Sequence, residues 1–330
     1  YVVEPVEFSG AQALAMDAQG SHILILRNGT VWTWGSNASG QLGDGTLADR
    51  SYAAQVDDLM SVQHISAGSN FSVALKSDGT VWTWGANNLG QLGIGNLAIK
   101  LSTRPVPVGG LNSVVSISAG AAHVLALKSD GSLWAWGANH SGQLAVTTPN
   151  FVQSSPIQVT GFNGINAAFA GNSRSWIVDG NNVTSGVGFN FGALGDGSQG
   201  VFTSTPTVIP ILADLKRVGS GTQFTVFLKN DNTVWSVGAN TIGVLGRGFI
   251  DLGVNPMPAQ ISNLTATIVS AGDLHVIATG ADGISRTWGN NQQGQLGIGQ
   301  IDFNQHNTPV VVPGLSSVFA TAAGVNSTFA

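Results

Sequence analysis

The sequence predicts an all-β fold, a propeller of seven blades made from repeats of about 50 residues. Three observations carry that expectation. A Trp-Gly segment recurs along the chain, an Ala-Gly segment precedes each copy, and the spacing between copies hardly varies. The clearest Trp-Gly copies are NGTVWTWGSNASGQLGDG at 28–45, DGTVWTWGANNLGQLGIG at 78–95 and DGSLWAWGANHSGQL at 130–144. NTVWSVGANTIGVLGRG at 232–248 and SRTWGNNQQGQLGIG at 285–299 follow, with a worn copy, NNVTSGVGFNFGALGDG, at 181–197.

The Ala-Gly segments are AQGSHILIL at 18–26, ISAGSNFSVAL at 65–75, ISAGAAHVLAL at 117–127 and AFAGNSRSWIV at 168–178. VGSGTQFTVFL at 218–228, VSAGDLHVIAT at 269–279 and TAAGVNSTFA at 321–330 complete the set. Just past the Gly stand His22, Phe71, His123, Arg174, Phe224, His275 and Ser327, at steps of 49, 52, 51, 50, 51 and 52. A fixed period of this length marks a repeat architecture.

Within a unit, Val81, Thr83 and Gly85 alternate with Trp82 and Trp84, the period of a half-buried strand. Asp78-Gly79 and Asp130-Gly131 separate two such runs, a hairpin signal because the turn requires positive φ. After Gly-Gln-Leu-Gly comes a polar loop, then a Pro-containing stretch such as Pro105–Val108. Each unit therefore reads as three or four short antiparallel strands. Blades around an axis protect their edges radially. A linear β-solenoid, the rival, usually has shorter repeats and needs distinct caps. The chain reads as one domain over 1–330, with units near 1–49, 50–101, 102–152, 153–203, 204–254, 255–308 and a partial 309–330.

Composition narrows the function classes. Charged residues are 9% of the chain against roughly 25% in a typical soluble domain. Twelve basic and 17 acidic residues give a net charge of −5, and Lys216-Arg217 is the densest basic pair. Phosphate-backbone binding needs clustered cations, so nucleic acid is not an expected partner. The absence of cysteine removes disulfides and thiolate metal sites. No run reaches the 18 or so apolar residues a membrane span needs, so membrane insertion is not expected. Low charge without cysteine suggests an extracellular or cell-surface location. The first residue is Tyr1, which suggests a removed leader or a fragment.

These motifs resemble the repeat of the regulator of chromosome condensation family, whose signature is similar to xVWxWGxNxxGQLGxG and VxxIxAGxxHxxAL. The resemblance covers essentially the whole chain and implies a seven-bladed propeller, here of a bacterial extracellular type. Seven Ala-Gly segments accompany six Trp-Gly segments, so the last blade is expected to be incomplete at Ala330 and a longer chain to resume with an Asp-Gly hairpin.

Chemistry-bearing residues are sparse. The Trp pairs Trp32/Trp34, Trp82/Trp84 and Trp134/Trp136 are expected to fill space between blades rather than to stack on sugars, and Val183 and Ser185 take their places in the fourth unit. His22, His123 and His275 sit at equivalent positions around a ring, so structural hydrogen bonds are expected rather than a metal. Arg174 at that position is the most unusual substitution. The Gly-Asp-Gly turns at 43–45 and 195–197 lack the ligand spacing of a calcium loop. No nucleophile elbow or acid pair supports catalysis, so neither enzyme activity, cofactor nor metal is expected. Asn-x-Ser/Thr triplets at Asn28, Asn37, Asn70, Asn139, Asn182, Asn263 and Asn326 are ascribed to the repeat itself.

The loops at 44–53, 94–104, 145–155, 196–205, 247–256 and 298–308 vary while their flanks hold. Variation on a fixed scaffold is where binding concentrates. Phe151, Phe202, Phe249 and Phe303 are candidate anchors, with Arg50, Arg104, Arg174 and Arg247 as polar contacts. The expected function is a secreted or cell-surface binding module that meets a protein or glycan, like adhesin repeats or β-lactamase-inhibiting propellers. The resemblance also implies guanine-nucleotide exchange on a small GTPase such as Ran, but the basic tail and inserted wedge that activity uses are missing. A propeller enzyme is the third alternative.

Overall fold

In a computed structural model, which describes residues 10–16, 20, 22–146, 150–162 and 164–330, the chain is a β-propeller. Six four-stranded antiparallel sheets follow one another, each with its strands in sequence order. Blade 1 comprises β1 (Ala11–Ala15), β2 (His22–Arg27), β3 (Thr30–Gly35) and β4 (Arg50–Gln55). Blade 2 runs from β5 (Val62–Ala67) to β8 (Leu101–Pro107), and blade 3 from β9 (Val114–Ala119) to β12 (Val152–Val159). Blade 4 runs from β13 (Ile165–Ala170) to β16 (Phe202–Val208), and blade 5 from β17 (Leu215–Ser220) to β20 (Val254–Thr265). Blade 6 runs from β21 (Ile268–Ala271) to β24 (His306–Val311). The sequence units were cut one strand out of phase, because each outermost strand lies in the Pro-containing stretch that follows the variable loop.

The expectation of seven blades is corrected: the described residues form six. The last Ala-Gly segment makes only a two-stranded sheet, β25 (Ala322–Ala323) with β26 (Thr328–Phe329). A blade takes its third and fourth strands from a Trp-Gly segment and the stretch after it, and the chain carries six of these. The small sheet still occupies its place in the ring. His275 Nε2 contacts Thr328 Oγ1 at 2.8 Å on the blade 6 side. On the other side Phe329 packs edge-on against Trp34 of blade 1, with ring centroids 6.0 Å apart.

The first strand of every blade faces the axis, where residues of β1, β5, β9, β13, β17 and β21 with Thr321 and Ala322 line a central channel of about 410 Å³. Cores form between blades rather than within them. Leu24, Leu26 and Val31 of blade 1 share one cluster with Val62, Ala74 and Trp84 of blade 2. A single sheet cannot cover its own apolar side, so neighbours bury it for one another. Among the described residues no helix is long and apolar enough to cross a membrane.

The Trp residues have two structural uses. Trp84, Trp136 and Trp288 are fully buried. Each indole N–H donates to a carbonyl of the preceding blade: Gln41 at 2.8 Å, Gln91 at 3.0 Å and Val244 at 2.8 Å. Trp82, Trp134 and Trp235 are half-buried beneath Lys76, Lys128 and Lys229. Strand pairing shows that Ser185 and Val187, not Val183 and Ser185, replace the pair in blade 4, since Ser175 opposes Val187 as Ser72 opposes Trp84. Blade 5 also lacks the inner Trp, having Val237. Trp176 fills that interface from blade 4, edge-on to Phe227 and donating to Leu194 O at 3.0 Å.

The Gly of Trp-Gly is obligatory. Gly85 has φ +101°, and a Cβ there would lie 2.5 Å from the Asn70 carbonyl oxygen. The Asn two residues on ties the variable loop to the blade. Asn87 Oδ1 accepts from Leu92 N–H at 3.1 Å, while its Nδ2 donates to the carbonyls of Asn96 at 3.1 Å and Ile99 at 2.8 Å. The same Asn-to-Leu bond holds in all six blades. Asn87→Ala strands a buried N–H and is expected to cost about 1–3 kcal/mol in urea unfolding, with faster hydrogen exchange across residues 94–100.

Candidate functional site, the loop face

Because strands within a blade alternate in direction, the turns between first and second strands and the loops between third and fourth strands all leave from the same face. All six variable loops therefore share one side of the ring. The Asn anchors hold each loop at its base and leave its outer residues to solvent.

Phe151, Phe202, Phe249 and Phe303 are 65%, 55%, 41% and 81% exposed. They come from the loop regions of blades 3, 4, 5 and 6, consecutive around the ring, and none tucks under a neighbouring blade. Phe151 lies flat on His140, with ring centroids 5.6 Å apart. Residues 147–149 of that loop lie outside the described residues. Leu252 of the blade 5 loop adds further exposed apolar surface on the same face.

The four arginines are not a set. Arg104 is exposed. Arg50 is mostly enclosed, paired with Asp44 at 2.8 Å and donating to Thr33 O at 2.9 Å. Against partial burial, which raises it, two hydrogen bonds from Thr46 and then the Arg50 charge hold the Asp44 carboxyl below its ordinary range. Arg247 turns inward onto the hydroxyl and carbonyl of Ser236. Burial lowers it to about 10 against a smaller opposing pull from Asp251. These two side chains brace loops.

Arg174 is fully buried and contacts no solvent, so the structure places it outside any binding surface. It crosses from blade 4 to blade 5. Nη2 donates to Thr222 O at 2.7 Å, Nε to Phe189 O at 3.0 Å within its own blade, and Nη1 to Thr225 Oγ1 at 3.3 Å. Burial without a carboxylate partner pulls its pKa down to about 9, which leaves it cationic at neutral pH.

Arg174 belongs to a series. His22 Nε2 lies 2.9 Å from Ser72 Oγ, and His123 Nε2 lies 2.9 Å from Ser175 Oγ, each in the next blade. The serine hydroxyls donate onward to Gln41 O at 2.8 Å and Gln143 O at 2.7 Å, so the imidazoles are the donors in these contacts. Burial pushes His22 and His275 down to about 4 and His123 to about 3. Where the position is Phe71 or Phe224, the next blade presents Val124 or Val276 instead, within the same apolar cluster. Polar meets polar and apolar meets apolar at successive junctions. The three His are spread around the ring, and among the described residues no group of three His, Cys, Asp or Glu is placed to hold a metal.

The sequence reading missed the six Asn anchors, although the invariant Asn of each Trp-Gly copy was the signal. It also missed an apolar cavity on this face between blades 5 and 6. Its signal was the change of Gly-Gln-Leu-Gly to Gly-Val-Leu-Gly at 243–246.

Comparison with known proteins agrees with this geometry. The chain is 29% identical to the ultraviolet-B receptor UVR8 of Arabidopsis thaliana over 306 residues, 87% of this chain and 67% of that protein. It is 27% identical to the regulator of chromosome condensation of Drosophila melanogaster over 321 residues, 91% of this chain and 58% of the relative. Against human HERC3, a probable E3 ubiquitin-protein ligase, the match covers 18% of the relative's length. Among solved structures, Prp20p of Saccharomyces cerevisiae superposes with TM-score 0.84 at 22% identity over 98% of this chain and 82% of that one. The description of that structure names binding to Gsp1p and histones. Human WBSCR16 superposes with TM-score 0.83 at 20% identity, covering 98% of this chain and 87% of that one. At these identities the two superpositions establish the fold. The family model of the RCC1-like domain matches residues 2–330, and the chain belongs to that family.

Proposed function

We propose that this propeller is a protein-binding module that meets its partner with the loop face. The observation carrying this reading is the run of exposed Phe151, Phe202, Phe249 and Phe303 on consecutive blades of a rigid scaffold. Aromatic residues, Phe among them, are enriched in protein interfaces relative to the rest of the surface. Protein binding by the relative Prp20p, named with Gsp1p and histones, supports the same class of partner. The Trp rings that a glycan would need are used inside the blades, so a protein is favoured over a sugar. Low charge and absent cysteine support action outside the cell or at its surface, and detecting the chain in the medium of the native cells is the direct test.

The triple variant Phe151→Ala, Phe202→Ala, Phe249→Ala is expected to fold normally and to lose at least 30-fold in partner capture from that medium, since each anchor contributes about 1–2 kcal/mol or more. Undiminished capture by the folded variant rules out this face.

A further inference from the structure

Blades 5 and 6 part on the loop face to leave a cavity of about 290 Å³, lined by Thr222, Gln223, Phe224, Ala239, Thr241, Ile242, Val244, Asp273 and Leu274. It exists because several departures from the repeat meet there. Four of the other five blades carry Gln where blade 5 has Val244. In each of those, the Gln side chain folds back to accept the backbone N–H two residues earlier: Ser39 at 2.9 Å, Leu89 at 2.8 Å, Ser141 at 2.9 Å and Gln293 at 2.9 Å. Blade 5 has Val244 in place of that Gln, so the cap's acceptor is lost, and Ile242 at the earlier position adds a second aliphatic side chain. Phe224 replaces His at the floor, and Leu274, 41% exposed, stands at the rim.

The rim is acidic. Asp273 is the titratable residue in the lining, held by the Thr222 hydroxyl and backbone N–H. No Lys or Arg lines the cavity. Arg247 of the blade 5 loop is turned away onto Ser236. An apolar hollow whose lining holds one carboxylate and no cation fits a side chain that is aliphatic and flanked by positive charge.

We propose that this cavity seats a leucine-sized side chain from a cationic segment of the protein partner, whose ammonium or guanidinium group pairs with Asp273. The inference rests on the loop-face reading and adds the partner's chemistry to it. Exposed charge pairs contribute little to affinity, so the apolar seat supplies most of the binding and Asp273 the choice of sign.

The test uses the chain alone, with methyl-labelled Ile and Val followed by NMR. L-leucinamide, an aliphatic cation, is expected to shift the methyls of Ile242 and Val244 saturably in the millimolar range. N-acetyl-L-leucinate, the same side chain with a negative charge, is expected to bind at least threefold more weakly. Val244→Gln, which restores the residue of four other blades, should weaken leucinamide binding about tenfold or more, and Ile242→Ser is the second variant should that one unfold. Asp273→Asn should remove the difference between the two probes. Absence of a saturable shift, equal binding of both probes, or unchanged binding by a folded Val244→Gln variant would overturn the proposal. Loss of capture in the Phe variant without leucinamide binding removes the anchor and keeps the loop face. Leucinamide binding with undiminished capture removes the loop face instead.

Discussion

Arg174→Ala is expected to lower the free energy of unfolding by about 3–5 kcal/mol, the range for deleting a large buried side chain and stranding its partners. The guanidinium is fully buried and satisfies the carbonyls of Thr222 and Phe189 together with Thr225 Oγ1. Alanine would leave a cavity at the junction of blades 4 and 5 and at least two buried carbonyls without donors. Arg174→His, the residue of three other junctions, retains a donor for Thr225 and should cost about half as much. Arg174→Met keeps the volume but strands the carbonyls, so about 1–3 kcal/mol is expected. Equilibrium denaturation in urea measures all three. A loss below about 1 kcal/mol for the alanine variant would mean that solvent or a backbone shift satisfies those carbonyls. Because blades 4 and 5 also share Trp176, the variant should unfold with a broadened transition centred on that interface.

Acid is expected to destabilise the propeller steeply between about pH 6.5 and 4. His22, His123 and His275 have their pKa values lowered by burial to about 4, 3 and 4, from 6.5 in an exposed chain. Above 6.5 both the folded and unfolded forms are neutral, and these groups add no pH dependence. Below 6.5 the unfolded chain binds three protons that the folded one excludes. Each proton costs about 1.4 kcal/mol per pH unit, so the three together cost on the order of 4 kcal/mol per unit until the folded values are reached. The lowered carboxylates, such as Asp44, lose their contribution only below their own ordinary range near 3.8, so the upper window belongs to the histidines. His123→Phe with Ser175→Val copies the Phe71–Val124 junction. That double variant is expected to fold and to reduce the slope between pH 6 and 4 by about a third. An unchanged slope would assign the acid sensitivity to other groups. Denaturant midpoints at half-unit pH steps provide the measurement.

Much of the fold was legible because a repeat repeats its physics. The Trp-Gly and Ala-Gly segments, with turn glycines between alternating strands, define a sheet that cannot bury itself, and a propeller follows. The blade count was not legible in the same way. Seven Ala-Gly segments suggested seven blades, yet the strands that complete a sheet come from the other motif, and the chain holds six. The candidate site was half legible. The loops and their phenylalanines are visible as departures from a constant frame, whereas the burial of Arg174 and the inward turns of Arg50 and Arg247 depend on what the next strand or blade offers them.

The sequence by itself determined the repeated sheet, the glycines and asparagines that shape it, and the loops that vary. Those are local properties, set within some 20 residues by turn conformation, alternation and side-chain-to-backbone bonds. Tertiary structure alone decided which loop residues face solvent, how Trp176 replaces an absent Trp from the adjoining blade, and where Phe224, Ile242, Val244 and Leu274 converge on one cavity. Each of these depends on contacts between residues some 50 positions apart, where the shape of one blade sets the environment of the next.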